Sequence, residues 1–278
     1  MPTILKKNNK NRIAVLAGSG KLPQLVYENA KINNWQGCII KFEGFSENYN
    51  YSWNTFQFPV GKVGSIIKKL KDEKITNIII CGAIDRGKIS NFSTDLKGIQ
   101  LLGKVAFKGD DGAIKIISSF LENEGFKIHK LNDFIQNSSA PIGHFAGPKI
   151  NNKIKDDINK GIKILKTISN SDVGQSLVVQ KGLVLAIEAI EGTDKMIQRV
   201  SDYKFSGIGP VLIKFSKIGQ EMKIDQPVIG PNTIKLAKES NFSCVACEAS
   251  NVLIVDFDKT LEIANKENIS MFGFNKEI

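Results

Sequence analysis

The feature that most constrains this fold is a regular alternation of short apolar runs with segments of helical periodicity. In the first half of the chain the runs that predict these elements are 13–17, 23–31, 38–42, 62–73 and 77–81. Alternation of this kind predicts a parallel sheet covered by helices. A further helix over 111–124 ends at Gly125, and a strand over 126–128 follows it.

The pattern lapses between residues 129 and 153, where Asn, Ser, Pro and Gly dominate. It resumes with a helix over 154–168 and later apolar strands, so the second half is also α/β. The 278 residues exceed the usual size of one domain, about 100–200 residues. We therefore predict an α/β protein of two domains, with residues 12–136 as the first, 137–153 as a linker and 154–278 as the second.

Composition and charge exclude several classes of protein. The chain is 42% hydrophobic, enough for a sizeable core, and no apolar run approaches the roughly 20 residues of a membrane span. The polar, basic start does not resemble a secretory signal, so we expect a cytoplasmic protein. The formal charge of +10 favours an anionic partner. The basic residues are scattered and no nucleic-acid-binding motif accompanies them, so we expect no nucleic acid.

The four cysteines lie mostly within apolar stretches, where a cytosolic protein keeps thiols reduced. Cys244 and Cys247 form a CxxC motif, but a second one is missing. The chain has two histidines, His129 and His144, so a four-ligand zinc site is not convincing. We predict buried, free thiols.

A glycine-rich turn follows the first predicted strand and opens a helix, with the sequence Gly18-Ser19-Gly20-Lys21-Leu22-Pro23. Proline suits the first helical position, and the backbone N–H groups of such a turn can bind a phosphate. Neither the GxGxxG motif nor the P-loop motif is complete. A tight turn without a ligand explains the same residues equally well.

Charged residues follow or precede further elements of the first half. Asp85 and Arg86 come just after the strand over 77–81, at the end of the strand where open α/β sheets place ligands. Lys108, Asp110 and Asp111 precede a helix, where an aspartate also serves as an N-cap. A loop ion pair and a helix cap are the structural alternatives.

In the second half, Glu188, Glu191 and Asp194 cluster where an apolar strand ends and a helix begins. Several carboxylates at one strand end can hold Mg²⁺ through oxygen ligands, so we expect a metal or ligand contact here. Helix capping by Thr193 and Asp194 explains part of the pattern. Asp225 stands in a loop and, by its sequence alone, is typical of an exposed turn.

Several motifs, taken in order, resemble the family of UDP-2,3-diacylglucosamine pyrophosphatases, and the resemblance extends from about Ile13 to Phe274. The matching motifs are Ala17-Gly18-Ser19-Gly20-Lys21-Leu22-Pro23, Lys108-Gly109-Asp110-Asp111, Asp172-Val173-Gly174-Gln175-Ser176, Lys181-Gly182-Leu183-Val184-Leu185-Ala186-Ile187-Glu188-Ala189, Glu191-Gly192-Thr193-Asp194 and Asp225-Gln226-Pro227-Val228-Ile229-Gly230. Each motif is modest alone, but their order and spacing are specific.

The resemblance implies a Rossmann-like first domain, a second α/β domain that carries catalysis, and an active cleft between them. It implies hydrolysis of UDP-2,3-diacylglucosamine to UMP and 2,3-diacylglucosamine 1-phosphate, with attack of water on the α-phosphorus and Mg²⁺ or Mn²⁺ as cofactor. The family's essential aspartate corresponds to Asp225, which we therefore predict to be catalytic. Together with Glu188, Glu191 and Asp194, Asp225 would also bind the metal.

Substrate contacts are expected from the motifs and from the strand ends. These residues are Gly18, Ser19, Gly20, Lys21, Leu22, Asp85, Arg86, Lys108, Asp110, Asp111, Gln175, Ser176, Lys181 and Thr193. A substrate with two phosphates and acyl chains suits a basic protein, so we expect peripheral contact with the cytoplasmic face of the inner membrane. Self-association into a homo-oligomer stays open.

Two other functions also stay open. One is a nicotinamide-dependent oxidoreductase, because Glu43 lies about where a ribose-binding acid is sought after a glycine turn. The other is a non-catalytic protein that binds a nucleotide or a lipid phosphate, which needs the same basic surface but no hydrolysis.

Overall fold

The computed structural model describes residues 12–45, 47–84, 93–106, 108, 110–135, 138–171, 173–217 and 226–275, without the side chains of Asp110 and Asp111. The described residues divide into two units, one up to residue 135 and one from residue 138. Both units combine a sheet with helices, so the predicted fold class is confirmed. In these parts of the chain no helix is long and apolar enough to cross a membrane.

The first unit is built on a five-stranded sheet in which every pair of neighbours is parallel. Its elements are β1 (Arg12–Ala17), α1 (Leu22–Ile32), β2 (Gln36–Phe42), β3 (Asn54–Phe58), α2 (Val63–Asp72), β4 (Asn77–Cys81), α3 (Leu96–Val105), α4 (Asp110–Asn123) and β5 (Lys127–Ile128). The strand order β3-β2-β1-β4-β5 is the order that Rossmann-type sheets use for their first five strands.

The central strand, β1, is buried on both faces over residues 13–17, which is why its sequence is a continuous apolar run. The amphipathic helix α2 turns Ile66, Ile67 and Leu70 toward the same core. From β1 the sheet grows toward β2 on one side and toward β4 on the other. The carboxyl ends of β1 and β4 therefore form the switch point, where open α/β sheets bind ligands.

The second unit is built on a mixed six-stranded sheet, in the order β6-β13-β11-β9-β7-β8, and a small parallel pair, β10 and β12. Its elements are β6 (Gly143–Ala146), α5 (Asn152–Ile168), β7 (Ser176–Gln180), β8 (Leu183–Ile187), α6 (Gly192–Val200), β9 (Val211–Lys214), β10 (Val228–Ile229), α7 (Pro231–Glu239), β11 (Cys244–Glu248), β12 (Leu253–Ile254), α8 (Phe257–Glu267) and β13 (Ser270–Phe274). Apolar clusters cover its two faces.

The directions of the strands determine which strand ends lie at the same edge of the second sheet. β9, β11 and β13 are parallel, whereas β7 runs antiparallel to both β9 and β8. The start of β7 and the end of β8 therefore lie at the same edge as the carboxyl ends of β9 and β11. We call this edge the carboxyl edge of the second sheet.

The structure differs from the predicted linker over 137–153, because β6 lies within it. β6 pairs antiparallel with β13, and Ala146 lies opposite Met271 in that pair. The sequence around β6 is rich in Gly and Pro and shows no apolar alternation, so only pairing with a distant strand makes it part of the sheet.

The prediction that the cysteines are buried is confirmed, since all four side chains are buried and none forms a disulfide. Cys244 and Cys247 lie on β11, in the interior of the second sheet. Burial raises the pKa of the Cys38 and Cys247 thiols to about 12. These thiols are therefore core residues without nucleophilic character near neutral pH.

Candidate active site

The glycine-rich turn lies at the switch point of the first sheet, beside the residues that follow β4. The Gly18 N–H donates to the Cys81 carbonyl (2.8 Å), and both the N–H and the hydroxyl of Ser19 donate to the Ala83 carbonyl (2.9 Å each). A Cβ at Gly18 would lie 2.6 Å from the Ala83 oxygen, so the close approach requires glycine. The N–H groups of Gly18 and Ser19 thus bind within the protein, and the phosphate contact predicted for this turn stays a prediction.

Other first-unit residues predicted to contact substrate lie at helix starts. They are Lys21 and Leu22 at the start of α1, and Asp110 and Asp111 at the start of α4. Lys108, which precedes α4, has an exposed side chain. Two predicted residues, Asp85 and Arg86, lie outside the described residues. The substrate contacts of this group stay predictions.

A buried polar group lies at the carboxyl edge of the second sheet. Glu188, directly after β8, is 7% exposed, and Lys214, the last residue of β9, is 4% exposed. Thr193 connects them: its hydroxyl donates to Glu188 Oε1 (2.8 Å) and accepts from Lys214 Nζ (2.7 Å). The Ser176 hydroxyl lies 3.4 Å from the Thr193 hydroxyl, and the Gln175 N–H donates to Glu188 Oε2 (3.3 Å).

The charge of Lys214 and these hydrogen bonds act together on Glu188. Burial by itself would raise the pKa of the Glu188 carboxyl. The Lys214 ammonium and the hydrogen bonds from Ser176, Thr193 and the Gln175 N–H oppose burial and hold the pKa below its ordinary value. Glu188 is therefore ionised, so a carboxylate and an ammonium are held beneath one edge of the sheet.

Gly174 explains why a glycine belongs to the motif that precedes β7. A Cβ at Gly174 would collide with the backbone of Glu188. The close approach lets Glu188 donate its N–H to the Ser176 carbonyl (2.9 Å) and accept from Gln175. The structure thus brings together four residues predicted from sequence: Gln175, Ser176, Glu188 and Thr193.

The other two carboxylates of the predicted metal cluster have separate partners. Glu191 accepts from Arg199 at 2.8 and 3.0 Å, and Asp194 accepts from the Asn232 side chain (2.8 Å). Within the described residues no group of three or more His, Cys, Asp or Glu side chains is placed to hold a metal ion. The metal roles of Glu188, Glu191, Asp194 and Asp225, the last of which lies outside the described residues, stay predictions.

Lys181 is not brought to the carboxyl edge. It lies in the turn between β7 and β8, at the far end of β7 from Ser176. The Asp157 carboxylate of α5 accepts the N–H groups of Lys181 (3.0 Å) and Gly182 (2.6 Å), and both residues have positive φ, 51° and 74°. Lys181 therefore shapes a hairpin turn away from Glu188.

Two charged residues of this edge were missed by sequence reasoning. One is Lys214, and the other is Glu248, the last residue of β11, which is 3% exposed. Each closes a short apolar strand, Val211–Lys214 and Cys244–Glu248. A charge at the carboxyl end of an otherwise apolar strand is the signal that would have found both.

Fold and site together define a class: an α/β protein of two units, with a glycine turn at the switch point of one sheet and buried charges at the carboxyl edge of the other. The LpxI N-terminal domain family matches residues 12–138, and the LpxI C-terminal domain family matches residues 141–272. The chain belongs to the LpxI family. It is 27% identical over 275 residues to the UDP-2,3-diacylglucosamine pyrophosphatase LpxI of Caulobacter vibrioides, across 96% of this chain and 98% of that protein.

Proposed function

We propose that this protein hydrolyses UDP-2,3-diacylglucosamine to UMP and 2,3-diacylglucosamine 1-phosphate. The relative from Caulobacter vibrioides carries the name of that pyrophosphatase, and the matches to both LpxI domain families support the proposal. The observation that carries the proposal is the buried Lys214, Thr193 and Glu188 group at the carboxyl edge. A buried carboxylate and a buried lysine at the ligand edge of a sheet are typical of a functional site.

Lys214 is proposed to bind the pyrophosphate. Its ammonium has three N–H donors, and within the described residues Thr193 is its one hydrogen-bond partner. Thr193 and Glu188 fix the ammonium in place, so it needs no reorganisation when a phosphate oxygen arrives. Charge that develops on the phosphate would then be stabilised in a site with little water.

Asp225 is proposed as the catalytic carboxylate that orients and deprotonates the attacking water. The water oxygen forms a bond to the α-phosphorus, and the bond from that phosphorus to the bridging oxygen breaks. The bridging oxygen leaves on the β-phosphate as 2,3-diacylglucosamine 1-phosphate, and UMP keeps the new oxygen. Mg²⁺ or Mn²⁺ is proposed as cofactor because metal charge offsets that of a pyrophosphate, with no ligands assigned among Glu188, Glu191 and Asp194.

The test is incubation of the purified chain with UDP-2,3-diacylglucosamine in ¹⁸O-labelled water, with Mg²⁺, with Mn²⁺ or with EDTA, followed by mass analysis. Attack on the α-phosphorus puts the label in UMP, whereas attack on the β-phosphorus puts it in the sugar phosphate. Turnover that persists in EDTA would remove the metal from the proposal. Absence of UMP under every condition would leave binding without hydrolysis as the function.

Asp225→Ala should abolish hydrolysis and spare the fold. Loss of a water contact in the transition state removes several kcal/mol of stabilisation, while the turn carboxylate that the sequence predicts at this position would contribute less than about 1 kcal/mol to folding. Single-turnover rates and thermal melts measure the two effects. The matched control is Asp202→Ala, at an exposed aspartate of the second unit. This variant should keep the wild-type rate of hydrolysis and the wild-type melting temperature. Near-wild-type hydrolysis by folded Asp225→Ala protein would remove Asp225 from the mechanism.

We also propose that the protein works in the cytoplasm, in peripheral contact with the inner membrane. The support is the formal charge of +10 together with a substrate that carries acyl chains. Basic proteins gather at anionic lipid surfaces, where this substrate would be found.

A further inference from the structure

An exposed apolar surface lies at the opposite edge of the second sheet from the Glu188 group. It is formed by the β7–β8 hairpin and by the loop 201–209, which follows α6. The large apolar side chains of this surface are between 37% and 63% exposed, and we call them the apolar tip: Leu183, Val184, Tyr203, Phe205 and Ile208. A group of exposed apolar side chains is typical of a surface that contacts a partner.

A buried amide holds the loop of the apolar tip against the hairpin. Gln180, the last residue of β7, donates from Nε2 to the Phe205 carbonyl (2.8 Å) and to the Ile208 carbonyl (2.7 Å). Its Oε1 accepts the Phe205 N–H (2.7 Å), and Gln180 itself lies opposite Leu183 in the hairpin. These bonds use only the backbone of the loop. The apolar side chains therefore stay exposed on a loop of fixed position.

Basic residues flank the apolar tip. The hairpin turn is bound by Asp157 of α5, which accepts two backbone N–H groups of the turn. Lys153 and Lys160, both exposed, lie one helical turn on either side of Asp157 and so share its side of the helix. As a whole α5 has five lysines and one exposed acid, Asp156. The loop contributes one aspartate and one lysine, which balance, so this surface is basic.

We propose that the apolar tip and the lysines of α5 form the surface through which the protein docks on an anionic lipid bilayer. The inference rests on the proposed function, since it names the surface that makes the proposed membrane contact. Lysines attract anionic head groups, and aromatic rings suit the boundary between head groups and acyl chains. A second copy fits less well, because a twofold interface here would bring two basic α5 helices together.

The test is flotation of the full chain with vesicles of phosphatidylglycerol and phosphatidylcholine in equal parts, without substrate. Tyr203→Ser combined with Phe205→Ser should reduce the partition coefficient on the order of 10-fold, because two rings no longer enter the bilayer boundary. The loop should stay folded, since Gln180 binds its backbone. The matched control is Ile32→Ser combined with Ile99→Ser, at exposed apolar residues of the first unit, which should bind like the wild type.

A second pair of variants separates this surface from the charge of the whole molecule. Lys153→Gln combined with Lys160→Gln should also reduce partitioning on the order of 10-fold at low ionic strength. The remaining binding should depend less on salt. Lys68→Gln combined with Lys115→Gln gives the same net charge through exposed lysines of the first unit, and it should keep most of the binding. Equal losses in the two pairs would contradict a defined docking surface.

Phe205→Trp reports on insertion at one position. Its fluorescence should be quenched by vesicles with brominated acyl chains, because the ring at this position enters the bilayer boundary. Ile99→Trp is the control and should show no quenching beyond that of the native tryptophans. Should the double serine variant not fold, this quenching decides, and equal quenching in the two tryptophan variants overturns the inference.

The outcomes separate this inference from the proposed reaction. A wild type that does not bind the vesicles overturns the docking surface, whereas one that binds them but yields no UMP contradicts only the hydrolysis. In detergent micelles the double serine variant should hydrolyse the substrate at the wild-type rate, because the apolar tip lies away from Glu188. If that variant binds vesicles normally but changes a dimer into a monomer in sedimentation, the surface joins two copies and the inference is wrong.

Discussion

At the scale of single residues, Thr193 is the side chain that joins two opposite charges. Its hydroxyl has one hydrogen, which goes to Glu188, and a lone pair that accepts from Lys214. Glu188 and Thr193 could be predicted, because they follow an apolar strand and match a motif. Lys214 was missed although it ends an apolar strand, because a lysine in that place is also typical of a strand leaving the core.

Glu188→Gln should change how stability depends on pH. The pKa of Glu188 in the folded protein lies below the ordinary pKa of glutamate. The contribution of Glu188 to stability is therefore fully present above the ordinary pKa and is lost as the pH falls through the folded pKa. Near pH 7 the variant should lose about 3 kcal/mol, since it leaves Lys214 buried without its counter-charge. The difference in free energy of unfolding between the wild type and the variant, measured by urea titration, should become smaller below about pH 4.

The comparison variant is Glu191→Gln, which breaks a partly exposed pair with Arg199 and should lose less than about 1 kcal/mol. If the loss of unfolding free energy in Glu188→Gln is the same at neutral and at acid pH, the assignment of an ionised buried carboxylate is contradicted.

Gly20→Ala should raise KM for the substrate, whereas Gly125→Ala should not. Both glycines have positive φ, 89° and 94°, and an added Cβ meets no atom within 4 Å at either one. Each variant should therefore lose about 1–2 kcal/mol of folding free energy from the left-handed backbone alone. Only Gly20 lies at the switch point. Steady-state kinetics with equal KM in both variants would make the turn purely structural.

At the scale of elements, the strongly apolar strands and the longer helices agree with the sequence pattern. The predicted helix over 154–168 is observed as α5, and the predicted strand over 77–81 is β4. The elements that were missed depend on distant partners. α3 contains Gly98 and Gly103, which weaken its helical signal. Its start is fixed by a cap shared with another helix.

That shared cap is Asp95. Its carboxylate accepts the Gly98 N–H (2.9 Å) at the start of α3, and also the N–H groups of Gly64 (3.0 Å) and Ser65 (2.9 Å) in the first turn of α2. Asp95→Ala should therefore lower the free energy of unfolding by about 2 kcal/mol. Asn151→Ala, which removes the cap of α5 alone, should lower it by about 1 kcal/mol. Equal losses in urea titrations would contradict the double cap.

At the scale of the whole molecule, two α/β units could be predicted because alternation survives on both sides of residues 129–153. The order of the second sheet could not, because it depends on pairing between strands far apart in sequence. Neither strand of the β6–β13 pair shows its partner locally, and register between distant strands is set only when the core forms.

The formal charge of +10 is also a property of the whole molecule. We expect the protein to sediment with vesicles that contain phosphatidylglycerol and not with pure phosphatidylcholine. Raising the ionic strength from about 0.05 M to about 0.5 M should release it, since the screening length shortens severalfold. Binding to neutral vesicles that resists salt would contradict an electrostatic attachment.

The pairing of β6 with β13 also limits how early the second sheet can fold while the chain is being translated. Ser270, which opens β13, donates to the Pro148 carbonyl just after β6, across 122 positions of sequence. Ribosomes add about 5–20 residues per second, so β6 waits on the order of 10 s for its partner. β11 is translated only late in that interval, and from then until β13 follows it has an open edge where β13 will insert. The first sheet has no such delay, because β5 completes it before β6 is translated.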